Sequence, residues 1–136
     1  MGLKYLLDTN TAQSYIQSNE RVAQRANEVS LRGARVGISI IVFSELLAAI
    51  ENSHSRDRNM AKLDQGMKSL ALWPYDEAAA YYYGRTMAFL KRIGKPIDEL
   101  DVMIAGTAMM LSNCVLVTID SDFQNIPDLR IENWML

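Results

Sequence analysis

Residues 4–10, with the sequence KYLLDTN, contain a short apolar run that ends in one acid. Residues 5–7 predict a buried strand, and Thr9 and Asn10 are residue types that often begin helices, so Asp8 stands where strand gives way to helix. In an open α/β sheet, ligands and catalytic groups usually lie beyond the carboxyl ends of the strands. A simpler interpretation is that Asp8 or Thr9 only caps the helix. Three further acids downstream, in or just after apolar segments, favour a site.

The composition is that of one folded domain. With 136 residues the chain is long enough for one domain with a real core and too short for two, so residues 1–136 are assigned to a single domain. Hydrophobic residues make up 49% and charged residues 22%, which excludes a disordered chain. A net charge of -2 and a pI near 5.4 argue against holding nucleic acid by broad electrostatic attraction. Any nucleic-acid chemistry must therefore use a local site.

The sequence also limits cysteine chemistry and membrane association. Cys114 is the one cysteine, so no disulfide or cysteine metal site can form within the chain. Lys4 is the one early charge before a very short apolar run, which does not fit a signal peptide. No apolar run is long enough to span a bilayer. We therefore expect no membrane association and a cytoplasmic protein.

Apolar patterning predicts strands and helices that alternate along the chain. Strands are predicted at 5–7, 35–41, 71–75, 114–118 and 129–131. Helices are predicted at 11–32 in two parts broken near 18–19, at 42–50, 56–68 and 76–93, and from Pro96 to Leu111. Such alternation implies a mainly parallel central sheet with helices on both faces, which is a three-layer α/β/α sandwich.

Acids stand at the ends of four of these elements. They are Asp8, Glu45, Asp101, and either Asp120 or Asp122. The alternative for Glu45 is a favourable interaction with the helix dipole in the first turn. Because parallel strands end at the same edge of a sheet, all four acids should gather there.

Crowded carboxylates raise each other's pKa and resist joint ionisation. No lysine, arginine or histidine lies within these motifs to compensate them. Mg2+ or Mn2+, which prefer oxygen ligands, would supply the missing positive charge. A bound ion of this kind polarises phosphoryl oxygens and lowers the pKa of bound water, which suits hydrolysis of a phosphodiester.

Three other features have less specific interpretations. His54 lies in a polar loop and is expected to be solvated, because no serine or cysteine pattern accompanies it. The helix at 56–68 has a basic side, which is either a solvated face or a rim that contacts phosphates. The tyrosines at 81–83 are consecutive and cannot share one face, so at least one should be exposed and could contact a partner.

Four of the segments discussed above resemble motifs of the PIN domain. They are residues 5–10 (YLLDTN), the stretch from 38 to 46 that ends in Ser-Glu-Leu, residues 101–105 (DVMIA) and residues 118–123 (TIDSDF). Each motif alone is weak, but four in the right order in a chain of this size are specific. The likeness covers nearly the whole length and is closest to VapC-type toxins. It implies an Mg2+- or Mn2+-dependent RNA endonuclease, a cognate antitoxin that inhibits it, and a homodimer.

The resemblance also implies roles for particular residues of this sequence. Asp8 and Asp101 would be the principal metal ligands, and Glu45 and Asp120 would hold metal-bound waters or a second ion. At the fourth position Asp120 fits the spacing Thr-x-Asp best, and Asp122 is close enough to share or replace its role.

Four supporting residues complete the predicted site. Thr9, Asn10 and Thr118 would orient the acids by hydrogen bonds. Asp98 would either line the rim of the pocket or merely begin the helix.

Other classes fit less well. A haloacid-dehalogenase-like phosphatase requires a second aspartate where this chain has Asn10. A receiver domain requires an early pair of acids and a late lysine, whereas Lys95 of this chain precedes the helix that carries the third acid. A degenerate PIN-like domain that only binds RNA or protein is the non-enzymatic alternative, and the presence of all four acids argues against it. The sequence leaves open which RNA would be cut.

Overall fold

The computed structural model describes residues 2–136, and within them five short strands form one parallel sheet. The strands are β1 (Lys4–Leu7), β2 (Arg35–Ser39), β3 (Ala71–Trp73), β4 (Cys114–Val117) and β5 (Arg130–Glu132). The helices are α1 (Thr9–Ile16), α2 (Glu20–Leu31), α3 (Ile40–Glu51), α4 (Arg56–Met67), α5 (Glu77–Arg92) and α6 (Glu99–Leu111). A 3-10 turn at Ser121–Asn125 precedes β5. The predicted α/β/α sandwich is confirmed.

Strand β1 lies at the centre of the sheet, whose order is β3-β2-β1-β4-β5. Tyr5 pairs with Val36 of β2 on one side and with Val115 of β4 on the other. Every residue of β4 is buried, as expected for a strand that helices cover on both faces. The carboxyl ends of β1 and β4 are therefore neighbours at one edge of the sheet.

Side-chain caps decide where several helices begin, and three predicted boundaries are wrong for this reason. The strand predicted at 35–41 ends at Ser39, because the Ser39 hydroxyl accepts a hydrogen bond from the Val42 amide and begins α3 at Ile40. The helix predicted from Pro96 begins at Glu99 after its cap, Asp98. The first helix, predicted from residue 11, begins at Thr9 after its cap, Asp8. Asp76 caps α5 in the same way.

Helix α6 is the most deeply buried helix and packs closely on α5. Residues 104–108 of α6 are all buried. A Cβ atom added at Gly106 would lie only 2.8 Å from the Ala79 carbonyl oxygen, so the two helices approach each other where α6 has no side chain. This close packing fixes α6, and with it Asp101 in its first turn, against the sheet. Within residues 2–136, no helix has the length and apolarity needed to cross a bilayer.

Candidate active site

Asp8 is a buried acid at the carboxyl end of β1, with 5% of its surface exposed. Its Oδ1 accepts a hydrogen bond from the Thr11 amide at 2.9 Å, which caps α1. Its Oδ2 accepts from the Thr118 hydroxyl at 2.6 Å. The cap and the site are thus not alternatives, because one carboxylate oxygen serves the helix while the other faces the neighbouring strand.

Thr118 connects Asp8 to the fourth acid. The Thr118 Oγ1 accepts a hydrogen bond from the Asp120 amide at 3.0 Å while its proton goes to Asp8. Asp120 in turn uses its Oδ1 to accept from the Asp122 amide at 2.9 Å, which starts the 3-10 turn. The hydrogen-bond chain therefore runs through Thr118 and Asp120, whereas the Asp122 side chain is exposed.

Glu45 lies in the second turn of α3 and is half-buried. Its Oε1 accepts a hydrogen bond from the Thr9 hydroxyl at 2.5 Å. The alternative that Glu45 serves the helix dipole in the first turn is wrong, since no acid occupies the first turn of α3. The bond from Thr9 ties α3 to the start of α1, beside Asp8.

The pKa of Asp101 reports four neighbouring acids at this edge of the sheet. The pKa of the Asp101 carboxyl is raised from 3.8 to about 6, first by burial and then by the negative charges of Asp98, Glu45, Asp120 and Asp8. Asp122 is not among these charges. The ion pairs within residues 2–136 are made by Arg25 and Arg56, and none of them involves these five acids. The acids therefore form a cluster of negative charge without a cationic partner in the described chain.

Asp98 and Asn10 lie at the margin of the cluster. Asp98 is exposed and caps α6 by accepting a hydrogen bond from the Leu100 amide at 3.2 Å, and its charge also acts on Asp101. Asp98 therefore begins the helix, and its place on the rim of the pocket stays a prediction. Asn10 is exposed and its side chain makes no hydrogen bond within residues 2–136, so its orienting role stays a prediction.

The PIN domain family matches residues 5–129. This chain belongs to the PIN domain family. It is 36% identical to the tRNA(fMet)-specific endonuclease VapC of Salmonella typhimurium, in a match that covers 97% of this chain and 98% of that protein. It is 30% identical to the protein of the same name from Shigella flexneri, and this match also covers 97% of this chain and 98% of that protein. The predicted resemblance to VapC-type PIN domains is thereby confirmed.

A solved structure agrees with this assignment of the PIN domain. VapBC2 from Rickettsia felis, bound to a DNA fragment from its promoter, contains a chain that superposes with a TM-score of 0.91 at 28% identity. The match covers 97% of this chain and 99% of that one.

The oxygen donors of this PIN domain suit a hard divalent cation. No three Asp, Glu, His or Cys side chains within residues 2–136 are arranged to hold an ion directly. Mg2+ does not require that arrangement, because it keeps several of its waters and usually takes only one or two carboxylates. Asp8 and Asp101, with Glu45 and Asp120 reached through water, match that donor chemistry and carry the uncompensated charge that an ion would neutralise.

Thr11 is a polar residue of the site region that sequence reasoning missed. Its hydroxyl is buried and has no hydrogen-bond partner within residues 2–136, although its backbone amide donates a hydrogen bond to Asp8 Oδ1. Nothing in the sequence distinguishes this threonine from Thr9, whose hydroxyl holds Glu45. Only the fold shows that the Thr9 hydroxyl contacts Glu45, whereas the Thr11 hydroxyl is buried without a partner in the described chain.

The remaining features noted in the sequence lie on other surfaces. His54 is exposed, as predicted. Arg56 on the basic side of α4 pairs with Glu51 and Asp57, which favours a solvated face over a phosphate rim. Among the three tyrosines Tyr81 is 71% exposed, so the expectation of at least one exposed tyrosine is confirmed.

Proposed function

We propose that this PIN domain is a metal-dependent endoribonuclease and the toxin of a toxin–antitoxin pair, with Asp8, Glu45, Asp101 and Asp120 as its catalytic acids. The observation that carries the proposal is the uncompensated cluster of these acids at the carboxyl edge of the sheet. The relatives named as endonucleases support the reaction class. The alternative of a degenerate module that only binds RNA or protein has no support among these relatives.

The ion would supply Lewis acidity toward a phosphoryl oxygen and a more acidic bound water. The chain supplies fixed donors. Asp8 is held by two hydrogen bonds, so little ordering remains to be done when an ion binds. Thr9 holds Glu45 in the same way. A metal ion would compete with the proton for the Asp101 carboxyl, whose pKa is about 6 without an ion, so metal affinity should increase as the pH rises through that value.

The substrate that we propose is transfer RNA. Two relatives, at 36% and 30% identity, carry names that specify tRNA(fMet). The net charge of -2 gives the chain no general attraction for nucleic acid, so recognition has to depend on the local shape of a folded RNA.

The inhibitor that we propose is an antitoxin that places a helix with a basic side chain near the acidic cluster. The solved structure with which this chain superposes is a VapBC2 complex, which supports a protein partner. The uncompensated acids favour a cationic group, and the exposed Tyr81 offers a contact surface. Mapping the antitoxin far from both would contradict this part. The homodimer stays a prediction.

The decisive experiment is cleavage of tRNA by the purified chain, released from its antitoxin, with Mg2+ or Mn2+. We expect cleavage by the wild type and loss of at least a hundredfold in Asp101→Asn. The matched control is Asp64→Asn, because Asp64 is an exposed aspartate on α4 outside the cluster, and it should cleave normally. Activity that persists undiminished in excess EDTA would refute metal dependence. Tight RNA binding without cleavage by the wild type would favour the degenerate module.

A further inference from the structure

A groove of about 550 Å³ lies at the edge of the sheet opposite the acids. It is bordered by the last half of α5, the end of α6 and the first residues of β4 and β5. The acids follow the carboxyl ends of β1 and β4, whereas this groove adjoins Cys114 and Arg130, the first residues of β4 and β5. The groove and the acid cluster are therefore separated by the length of β4, roughly 13 Å at 3.3 Å a residue.

Three arginines line this groove, which we call the arginine groove: Arg85 and Arg92 from α5, and Arg130 from β5. All three are exposed, and none forms an ion pair or a hydrogen bond to an acid within residues 2–136. Asp128 is the acid among the lining residues, so the groove has a net charge of +2 (three arginines and one aspartate) on a chain whose net charge is -2. The positive charge is concentrated here against the overall balance.

Aromatic rings alternate with two of these arginines along α5. The guanidinium of Arg85 lies over the Tyr82 ring at 5.4 Å from its centroid, and that of Arg92 lies over Phe89 at 6.0 Å. Contacts of this kind orient a guanidinium while leaving its N–H groups available. A helix face that alternates rings and arginines is suited to phosphates and to unstacked bases together.

The end of α6 does not oppose an anion in this groove. The last carbonyls of a helix carry partial negative charge, which would repel a phosphate. Here the ammonium of Lys4 lies 3.4 Å from the carbonyl oxygens of Leu111 and Ser112. A fourth cation therefore offsets the negative end of α6 beside the groove.

We infer that the arginine groove binds the phosphate backbone of the RNA substrate at a place remote from the cleaved bond. The inference rests on the proposed ribonuclease function for the identity of the ligand. An RNA that contacted both the arginine groove and the acid cluster would have to be longer than the roughly 13 Å of β4. A stem of a few base pairs, at about 3.4 Å a step, is long enough. A folded RNA would thus be favoured over a short single strand, although the chain as a whole is acidic.

The test is equilibrium binding of tRNA to full-length protein that carries Asp8→Asn, which prevents cleavage. In that background we expect Arg85→Gln, Arg92→Gln and Arg130→Gln each to weaken binding about threefold to tenfold. Each should also reduce the slope of log affinity against log salt by about one, as expected for the loss of one phosphate contact. The matched control is Arg21→Gln, because Arg21 is an exposed arginine of α2 outside the groove, and it should change neither quantity.

A second set of variants separates charge from geometry. Arg85→Lys and Arg92→Lys keep the positive charge but lose the planar guanidinium, so they should restore the salt slope and only part of the affinity. Thermal melts check that each variant is folded, which we expect because the side chains are exposed.

The outcomes distinguish this inference from the proposed function. Unchanged tRNA affinity and salt slope in all three glutamine variants would overturn the inference even if the wild type cleaves tRNA normally. Loss of antitoxin affinity with tRNA affinity retained would also overturn it, and would assign the groove to a protein partner. A wild type that binds tRNA through these arginines but does not cleave it would refute the proposed function alone.

Discussion

The hydroxyl of Thr118 donates a 2.6 Å hydrogen bond to Oδ2 of Asp8, and these residues are 110 positions apart in the chain. The bond crosses from the end of β4 to the end of β1, where Leu7 pairs with Val117. A buried carboxylate is stable only where donors replace its lost water. Thr118 therefore supports the charge of Asp8 as well as its orientation.

Replacing Thr118 by valine should reduce both stability and cleavage. Valine has the shape of threonine but leaves Asp8 Oδ2 and the Asp120 amide without the hydroxyl, at a cost of about 1–3 kcal/mol in the free energy of unfolding. Denaturant unfolding measures the first effect and tRNA cleavage the second. Thr118→Ser, which keeps the hydroxyl, is the control and should behave nearly as wild type. Full cleavage by the valine variant would show that this bond is not needed.

Asp8→Asn should abolish the response of the protein to Mg2+ with little effect on the metal-free fold. Asparagine is also a good helix cap, and its neutral side chain relieves repulsion among the acids, so metal-free melting should be equal to or above that of wild type. If Mg2+ binds as proposed, a concentration of about one hundred times its dissociation constant should stabilise the wild type by roughly 2.7 kcal/mol. Melts of both proteins with and without Mg2+ measure this. An unchanged Mg2+ shift in the variant would mean that Asp8 is only a cap.

Asp101→Asn should make the metal-free protein more stable at neutral pH. The pKa of the Asp101 carboxyl rises in the fold from its ordinary 3.8 to about 6, so between these values the folded state binds more protons than the unfolded state. Stability due to this group is therefore present below about pH 4 and is lost as the pH rises through about 6. Asparagine does not titrate and therefore avoids that loss. After screening by solvent, the gain in the free energy of unfolding should be on the order of 1 kcal/mol.

The measurement is the difference in unfolding free energy between Asp101→Asn and wild type as a function of pH in EDTA. The difference should be near zero at pH 4 and should reach its full value above pH 6. Asp64→Asn serves as the control, because it replaces an exposed aspartate of α4. A flat difference between pH 4 and pH 7 would show that burial and the neighbouring acids do not act on Asp101 as described.

Two glycine-to-alanine changes should act in opposite directions. Gly106→Ala brings a methyl group to within 2.8 Å of the Ala79 carbonyl oxygen, so α5 and α6 must separate at a cost of roughly 1–3 kcal/mol. Gly84 lies in α5 with nothing within 4 Å of an added Cβ in the described chain, so Gly84→Ala should stabilise by roughly 0.5–1 kcal/mol through helix propensity. Thermal melts compare the two. Equal effects would argue against close packing at Gly106.

The sequence predicted those parts of the fold that depend on local pattern. The junction of β1 and α1 was identified from the apolar run at residues 5–7 and the sequence Asp-Thr-Asn that follows this run. The end of β2 was wrong because Ile40 and Ile41 continue the apolar run, and periodicity alone does not separate a buried strand from a buried helix start. Only the hydrogen bond from the Val42 amide to Ser39 fixes that boundary.

Contacts between distant residues could not be predicted in the same way. The bond from Thr118 to Asp8 requires that β4 lie beside β1, and no local pattern states the order of strands in a sheet. The sequence left Asp120 and Asp122 as alternatives because both follow the same strand. The structure brings the charge of Asp120 to bear on Asp101, with the Asp122 side chain exposed, and the catalytic assignment stays a prediction.

The central position of β1 has a consequence for the timing of synthesis. Its partner on one side, β2, is complete at Ser39, whereas β4 is complete only at Val117. One edge of the first strand therefore stays unpaired while most of the chain is made, and long-range parallel pairing is slow and exposed to aggregation. The acids at the carboxyl end of the sheet therefore cannot come together until β4 and Asp120 have been synthesised. Asp8 acquires its hydrogen-bond partner only after Thr118 has been added and β4 has paired.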